Sequence, residues 1–176
     1  MKIKKIRIKT KLAFLVTFLF MTTICYGQKN TNLDKRSWLL GEWIGDGSGM
    51  PGQGEGTFYF SYDLDKNIIV RKSHSEYPAA GNKPPIIHDD LMIVYFDASD
   101  KATKAMYFDN EGHIINYTVL LTDKSITLTS LKSSNSPIFR LTYDLLENGM
   151  INTKFEMSRD GVNFMTYIEG KSKKIK

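Results

Sequence analysis

Beyond Leu40 the chain never sustains an apolar repeat of 3.6 residues; its repeat is two. In Ile151-Asn152-Thr153-Lys154-Phe155-Glu156-Met157 the odd positions are Ile, Thr, Phe and Met, and the even ones Asn, Lys and Glu. Phe139–Leu145 alternates in the same way. Side chains on a strand point alternately to its two faces, so this pattern buries one face and wets the other. Segments with strand character follow closely: Glu42–Gly47, Gly56–Asp63, Asn67–Tyr77, Ile87–Asp97, Thr103–Asp109, His113–Leu121, Ser125–Leu131, Ile138–Leu145, Met150–Ser158 and Val162–Gly170. Between them stand turn formers such as Asn110-Glu111-Gly112, Glu147-Asn148-Gly149 and Arg159-Asp160-Gly161. Asn-Gly and Asp-Gly suit hairpins because these residues tolerate positive φ. Consecutive strands on tight turns make an antiparallel meander. Left open, it would expose long edges, and closure removes them. The expectation is therefore an all-β chain: an antiparallel up-and-down β-barrel of about ten strands, with no internal repeat and no second domain.

The N-terminus reads differently. MKIKKIRIKTK holds six basic residues and no acid, LAFLVTFLFMTTI is an apolar run, and Cys25-Tyr26-Gly27 places small residues at −3 and −1 of a cleavage before Gln28. This is the pattern of a secretory signal peptide over residues 1–27. The apolar run is short for a membrane span, which needs about 20 residues, and Thr22-Thr23-Ile24-Cys25 is a poor lipobox. The expected mature chain is a single domain over 28–176, exported to the periplasm or exterior of a bacterium, with no stable membrane insertion after cleavage. Its charge then falls from +5 to −1, because six of the 24 basic residues leave and all 19 acids stay. The basic balance belongs to the leader and gives no reason to expect a nucleic-acid partner. Cys25, the sole cysteine, leaves too, so no disulfide, thiolate nucleophile or cysteine metal ligand remains. Asn32–Leu40 has one apolar side, Leu33, Trp38 and Leu40, and predicts a short N-terminal helix.

Several chemistries are excluded by context. Gly47-Ser48-Gly49-Met50-Pro51-Gly52 fits G-x-G-x-x-G, but the strand-like Thr57–Tyr62 follows it where a dinucleotide site needs a helix. Gly170-Lys171-Ser172 imitates the end of a P-loop, yet Met165 stands where the motif requires glycine. Asp63–Asn67 opens like a calcium loop, but Ile68 replaces the glycine and His74 the terminal glutamate. No G-x-S-x-G is present. The glycines around Trp43 fit a bent first hairpin with the tryptophan plugging the core, and the loop Gly47–Gly56 over a cavity mouth.

Leu39-Leu40-Gly41-Glu42-Trp43-Ile44-Gly45-Asp46-Gly47 resembles the G-x-W-x-G-x-G opening of the nitrobindin-like and DUF1579-like calycin barrels, and its helix-then-GxW order is similar to lipocalins. The tail Asp160–Lys171 resembles the final strand of the DUF1579-like exported proteins. The resemblance implies a ten-stranded, lipocalin-like barrel with a ligand cavity. Nitrobindins hold haem through a histidine on the last strands; here Phe164, Met165 and Thr166 occupy that stretch and no histidine follows His113. The haem ligand is therefore not carried over and no cofactor is expected; a haem-binding nitrobindin-like protein, with His74 or His113 as the replacement ligand, is an alternative reading.

The candidate residues follow. Val70–Tyr77 is polar on both faces, so either Arg71, Ser73, Ser75 and Tyr77 or Lys72, His74 and Glu76 enter the barrel, unless the strand runs past the rim. Unpaired buried polar groups cost about 1–3 kcal/mol each, which favours a wet, polar-lined cavity. The leading expectation is a non-enzymatic binder of a small, partly hydrophobic ligand with a polar head group. Trp43, Tyr95, Tyr107, Tyr117, Phe139 and Tyr143 are its wall candidates, and Arg71 or His74 would orient the head. The alternatives are an isomerase or cyclase using His74 and Glu76 as acid and base, with His113 as a further candidate, and a filled barrel serving assembly. His74 and Glu76 share a strand face, but no third ligand is placed with them, so no metal site is expected.

Overall fold

The computed structural model describes residues 33, 35–45, 55–79, 84–133 and 136–176. The leader, most of the glycine loop and the tip of the loop after Tyr77 lie outside them. Ten strands form: β1 (Gly41–Gly45), β2 (Glu55–Asp63), β3 (Ile68–Tyr77), β4 (Ile86–Asp97), β5 (Ala102–Asp109), β6 (Ile114–Leu121), β7 (Ser125–Ser130), β8 (Ile138–Leu145), β9 (Ile151–Ser158) and β10 (Met165–Lys174). Each pairs antiparallel with its sequence neighbours, and β1 pairs with β10, so the sheet closes into a barrel.

The strands β2 to β9 begin and end within one residue of the segments expected from alternation. Two expectations need correction. Among the described residues no continuous helix spans this stretch; Ser37–Leu39 forms a 3-10 turn with no side-chain cap at Arg36. So short a segment does not repay helix nucleation, and tertiary burial of Leu33 and Leu39 holds it instead. The last strand starts at Met165, not Val162, because the Asp160 carboxylate accepts the backbone N–H groups of Val162 at 2.9 Å and Asn163 at 2.8 Å and keeps them in a loop. It then runs on to Lys174, since closure pairs Gly45 with Ser172 and Trp43 with Lys174.

Gly41 explains half of the G-x-W signature. Its φ is +108°, and a Cβ there would collide with the carbonyl oxygen of Lys176, so only glycine lets the last strand pass this close. Trp43 explains the other half. It is fully buried, stacks on Phe58 at 6.3 Å and donates its indole N–H to the Leu39 carbonyl at 2.8 Å.

The register fixes which side chains face the lumen. Phe58 pairs with Ser73, Ser73 with Asp90 and Asp90 with Asp109; one layer along, Phe60 pairs with Arg71, Arg71 with Met92 and Met92 with Tyr107. The two ends of the barrel differ. At the end carrying the β2–β3, β4–β5, β6–β7 and β8–β9 turns, Leu33, Leu39, Ile69, Val94, Ile126, Leu128 and Ile151 pack to near-zero exposure. The 3-10 segment caps that end: the Tyr62 hydroxyl donates to the Leu33 carbonyl at 2.8 Å, and Arg36 reaches Asp123 at 3.9 Å. The opposite end carries the longer loops and holds the polar side chains.

Candidate functional site

Alternation along β3 decides the polar segment. Arg71 is buried and Ser73, Ser75 and Tyr77 are half-buried, whereas Lys72, His74 and Glu76 are exposed. Arg71, Ser73, Ser75 and Tyr77 therefore face the lumen. Arg71 ties its Nη1 to Asp90 Oδ1 at 2.7 Å, with both side chains nearly buried. Burial pushes the Asp90 carboxyl up, opposed by the positive charges of Arg71 and His88.

Arg71 does not lie flat against its own strand. Its guanidinium carbon stands 5.7 Å from the Phe58 ring centre and 5.8 Å from that of Tyr143. Around the barrel, β8 is reached from β3 through β2, β1, β10 and β9, which places it diametrically opposite in a ring of ten. Tyr143 also meets Phe60 edge-on at 5.3 Å and Phe58 at 6.0 Å. Side chains from opposite walls thus touch at mid-height. Arg71, Phe58, Phe60 and Tyr143 form a floor between the sealed half and the polar half.

Two polar atoms of this floor are buried with no hydrogen-bond partner among the described residues: Arg71 Nε and the Tyr143 hydroxyl. Thr153 Oγ1 on β9 is a third. Burial raises the Tyr143 phenol to about 12, so it stays a neutral donor. Above the floor, Phe139 and Phe155 stack at 5.6 Å, and Tyr167 meets the edge of Phe155 at 6.3 Å. Tyr167 projects at a bulge between Thr166 and Ile168 and is largely exposed. This is an aromatic wall that water still reaches.

The facing wall is hydrogen-bonded. His88 contacts Glu111 through Nδ1 at 3.1 Å and the Tyr107 hydroxyl through Nε2 at 3.0 Å. Tyr107 also lies 3.3 Å from Asp109 Oδ2, which accepts from His113 Nδ1 at 2.8 Å. Tyr107 has one hydroxyl proton. A neutral His88 accepts it at Nε2; a protonated His88 donates to the phenol oxygen, whose proton then goes to Asp109. Desolvation pushes the Asp109 carboxyl up, but backbone and side-chain bonds from His113 outweigh it and leave it low.

The expected site residues divide. Arg71, Tyr107, Tyr117 and Tyr143 come together inside the barrel, with Trp43 beneath and Phe139 above them. Tyr95 and His74 do not join them. Tyr95 alternates with buried Val94 and pairs with Ile68 and Lys104 on the outer face. His74 is exposed, held by Asp89 at 2.6 Å and Glu76 at 3.1 Å. With a carboxylate on each ring nitrogen, both nitrogens donate, and bonding to Asp89 and then Glu76 raises the His74 pKa. Glu76 is outside with it, and His113 is an exposed rim residue bonded to Asp109 rather than to His74. His74 borders an open groove of about 560 Å³ on the outer face, together with Tyr59, Lys72 and Leu91. Among the described residues, no group of three His, Cys, Asp or Glu side chains is arranged to hold a metal. Asp90, His88, Asp109, Phe58, Phe60 and Phe155 are interior residues that the ligand-binding candidates did not include. The signal for Asp90 and His88 was their even spacing with Met92 and Val94 along β4, legible only once that register is known.

No family model and no curated protein sequence matches this chain.

Proposed function

We propose that the protein is an exported carrier or receptor for a small, partly hydrophobic molecule, held in the polar half of the barrel above Arg71. The observation that supports this most is the polar lumen face of β3 above Arg71, where Ser73, Ser75 and Tyr77 point inward and are only half-buried. The aromatic wall of Phe139, Phe155 and Tyr167 supplies apolar surface for the rest of the ligand.

The same geometry bears on haem, which the calycin resemblance raises. His88 is the histidine that faces the lumen, and both its ring nitrogens are engaged, by Glu111 and Tyr107. His74 and His113 stand outside or on the rim, each bonded to carboxylates. These residues do not fit an axial ligand, and haem has no part in the proposed function. His74 and Glu76 lie 3.1 Å apart but face away from the lumen and from His113, so they have no part in a site inside the barrel.

Native mass spectrometry of protein isolated without denaturation tests the proposal. The expected result is a bound organic molecule in near-stoichiometric amount, released on unfolding. Protein that is ligand-free and takes up no apolar dye would overturn it.

A further inference from the structure

Exposed apolar side chains gather on one lip of the barrel mouth. Among the described residues Val162 and Met165, in and beside the β9–β10 loop, are the most exposed large apolar ones, at 79% and 71%. Tyr167, just beyond them, is 67% exposed, and Leu131 on the neighbouring β7–β8 tip is 59% exposed. The two tips meet: a Cβ on Gly161 would come within 3.0 Å of Ile138 Cδ1, where β8 begins. The β9–β10 loop is also a made turn. Asp160 accepts the backbone N–H groups of Val162 and Asn163, and Phe164 lies over the Arg140 guanidinium at 3.8 Å. Single exposed apolar residues are ordinary, whereas a group of them rimmed by polar residues marks a contact surface.

Charge says what it contacts. Lys132 and Arg159 flank the group, and both are exposed. Asp160, the one acid on these two tips, is taken up by the Ser158 hydroxyl and the Asn163 amide. Glu156, further down the wall, holds Arg140 at 2.7 Å and Lys154 at 3.8 Å. Among the described residues neither Lys132 nor Arg159 has a carboxylate partner. The opposite lip is unlike this one: Ile87 pairs in register with Glu76, and Glu111 stands in the β5–β6 turn. Projecting tips make no concavity for a small ligand. Apolar tips beside unpaired cations, with a tyrosine between, instead match the layering of an anionic bilayer surface: acyl chains, interface, phosphates.

We propose that the β7–β8 and β9–β10 tips dock the barrel on an anionic phospholipid surface, with Leu131, Val162 and Met165 entering the interface and Lys132 and Arg159 meeting the headgroup phosphates. Only the tips enter, so the contact is peripheral. The lip borders the mouth of the polar half, which places that mouth at the membrane. Docking itself does not depend on what the barrel holds.

Co-sedimentation with vesicles of phosphatidylcholine, alone or mixed with phosphatidylglycerol, tests this. The wild type should bind the anionic vesicles about tenfold more tightly than the neutral ones. Val162→Asn with Met165→Gln should weaken binding to the anionic vesicles at least about tenfold. Lys132→Gln with Arg159→Gln should weaken it about tenfold there and little on neutral vesicles. Both pairs are exposed and should melt like the wild type; if the first does not fold, the second decides. Leu64→Asn, a similarly exposed leucine at the sealed end, should bind as the wild type does. The leader is common to every variant, so equal binding by all of them places the contact elsewhere and overturns the proposal. So does a wild type that ignores anionic vesicles. A lipid-free dimer in sedimentation velocity that Val162→Asn with Met165→Gln dissociates, without vesicle binding, assigns the lip to a second copy and overturns it too. Each of these failures leaves the cargo-binding function standing, because native mass spectrometry reads that separately.

Discussion

The two halves of the barrel are built from the same strands and have opposite interiors. Along β3, Ile69 is sealed in the lower half, Arg71 lies on the floor, and Ser73, Ser75 and Tyr77 climb through the polar half. Along β4 the same passage runs from Val94 through Met92 to Asp90 and His88. One alternating strand therefore contributes both to a dry core and to a polar chamber. The difference teaches that, on the proposed reading, stability and binding are divided along the barrel axis rather than between faces of the sheet. The lower half excludes water and supports the fold; the upper half keeps polar groups whose desolvation is left incomplete. A mutation should accordingly damage either stability or binding, depending on its height.

The largest expected effect is in the lower half. Trp43→Ala should lose about 3–5 kcal/mol in a urea melt, since it empties a fully buried ring and strips a hydrogen bond from the Leu39 carbonyl. Trp38→Ala should lose clearly less, because Trp38 is only partly buried and its indole N–H has no partner among the described residues. Equal losses would break the distinction that Trp43 closes the sealed half.

The floor comes next. Asp90→Ala strands the Arg71 guanidinium and should cost about 3 kcal/mol by denaturant melt. The double replacement Arg71→Met, Asp90→Ala should recover much of this, because no uncompensated charge is left. A double variant as unstable as the single one would show that the pair holds the floor together by more than charge balance.

In the upper half, Phe155→Ala should lose about 1–2 kcal/mol of stability, as a half-exposed ring gives up less surface than a buried one. It should instead weaken binding of an apolar probe. A loss matching that of Trp43→Ala would mean that the upper half is as dry as the lower.

The smallest effect is pH-dependent and lies on the outer wall. The His74 pKa is raised in the folded state by Asp89 and Glu76, so its pairing stabilises fully below the unfolded value, about 6.5, and is lost as pH rises through the folded value. The melting temperature of wild type should exceed that of His74→Asn slightly at mildly acidic pH, and the gap should close in alkali. Because the group is exposed, added salt should shrink it. A gap that widens with pH would show that His74 is held neutral.

Much of the architecture was legible because alternation is local. Every strand from β2 to β9 could be bounded from its own residues, since a period of two needs no knowledge of the partner strand. The 3-10 turn was not, because Ser37–Leu39 is held by burial of Leu39 and by the Trp43 indole N–H on the Leu39 carbonyl rather than by its own propensity. The start of β10 was hidden by the Asp160 carboxylate, which gathers backbone donors from residues that otherwise have strand character. Trp43, Arg71, Tyr107, Tyr117, Phe139 and Tyr143 were recognisable as candidates by residue type. Tyr95 has the same type and faces outward, one residue out of phase with Val94.

The sequence by itself determined that this chain makes a closed antiparallel barrel with a glycine–tryptophan corner, because alternation, turn chemistry and the penalty on open edges are all written in short stretches. Only the tertiary structure decided that Arg71 crosses the lumen to Tyr143, that Asp90 balances it, and that His74 stands outside. Those facts depend on register between strands far apart in the chain. A register shifted by one residue would have turned every one of these side chains to the other face.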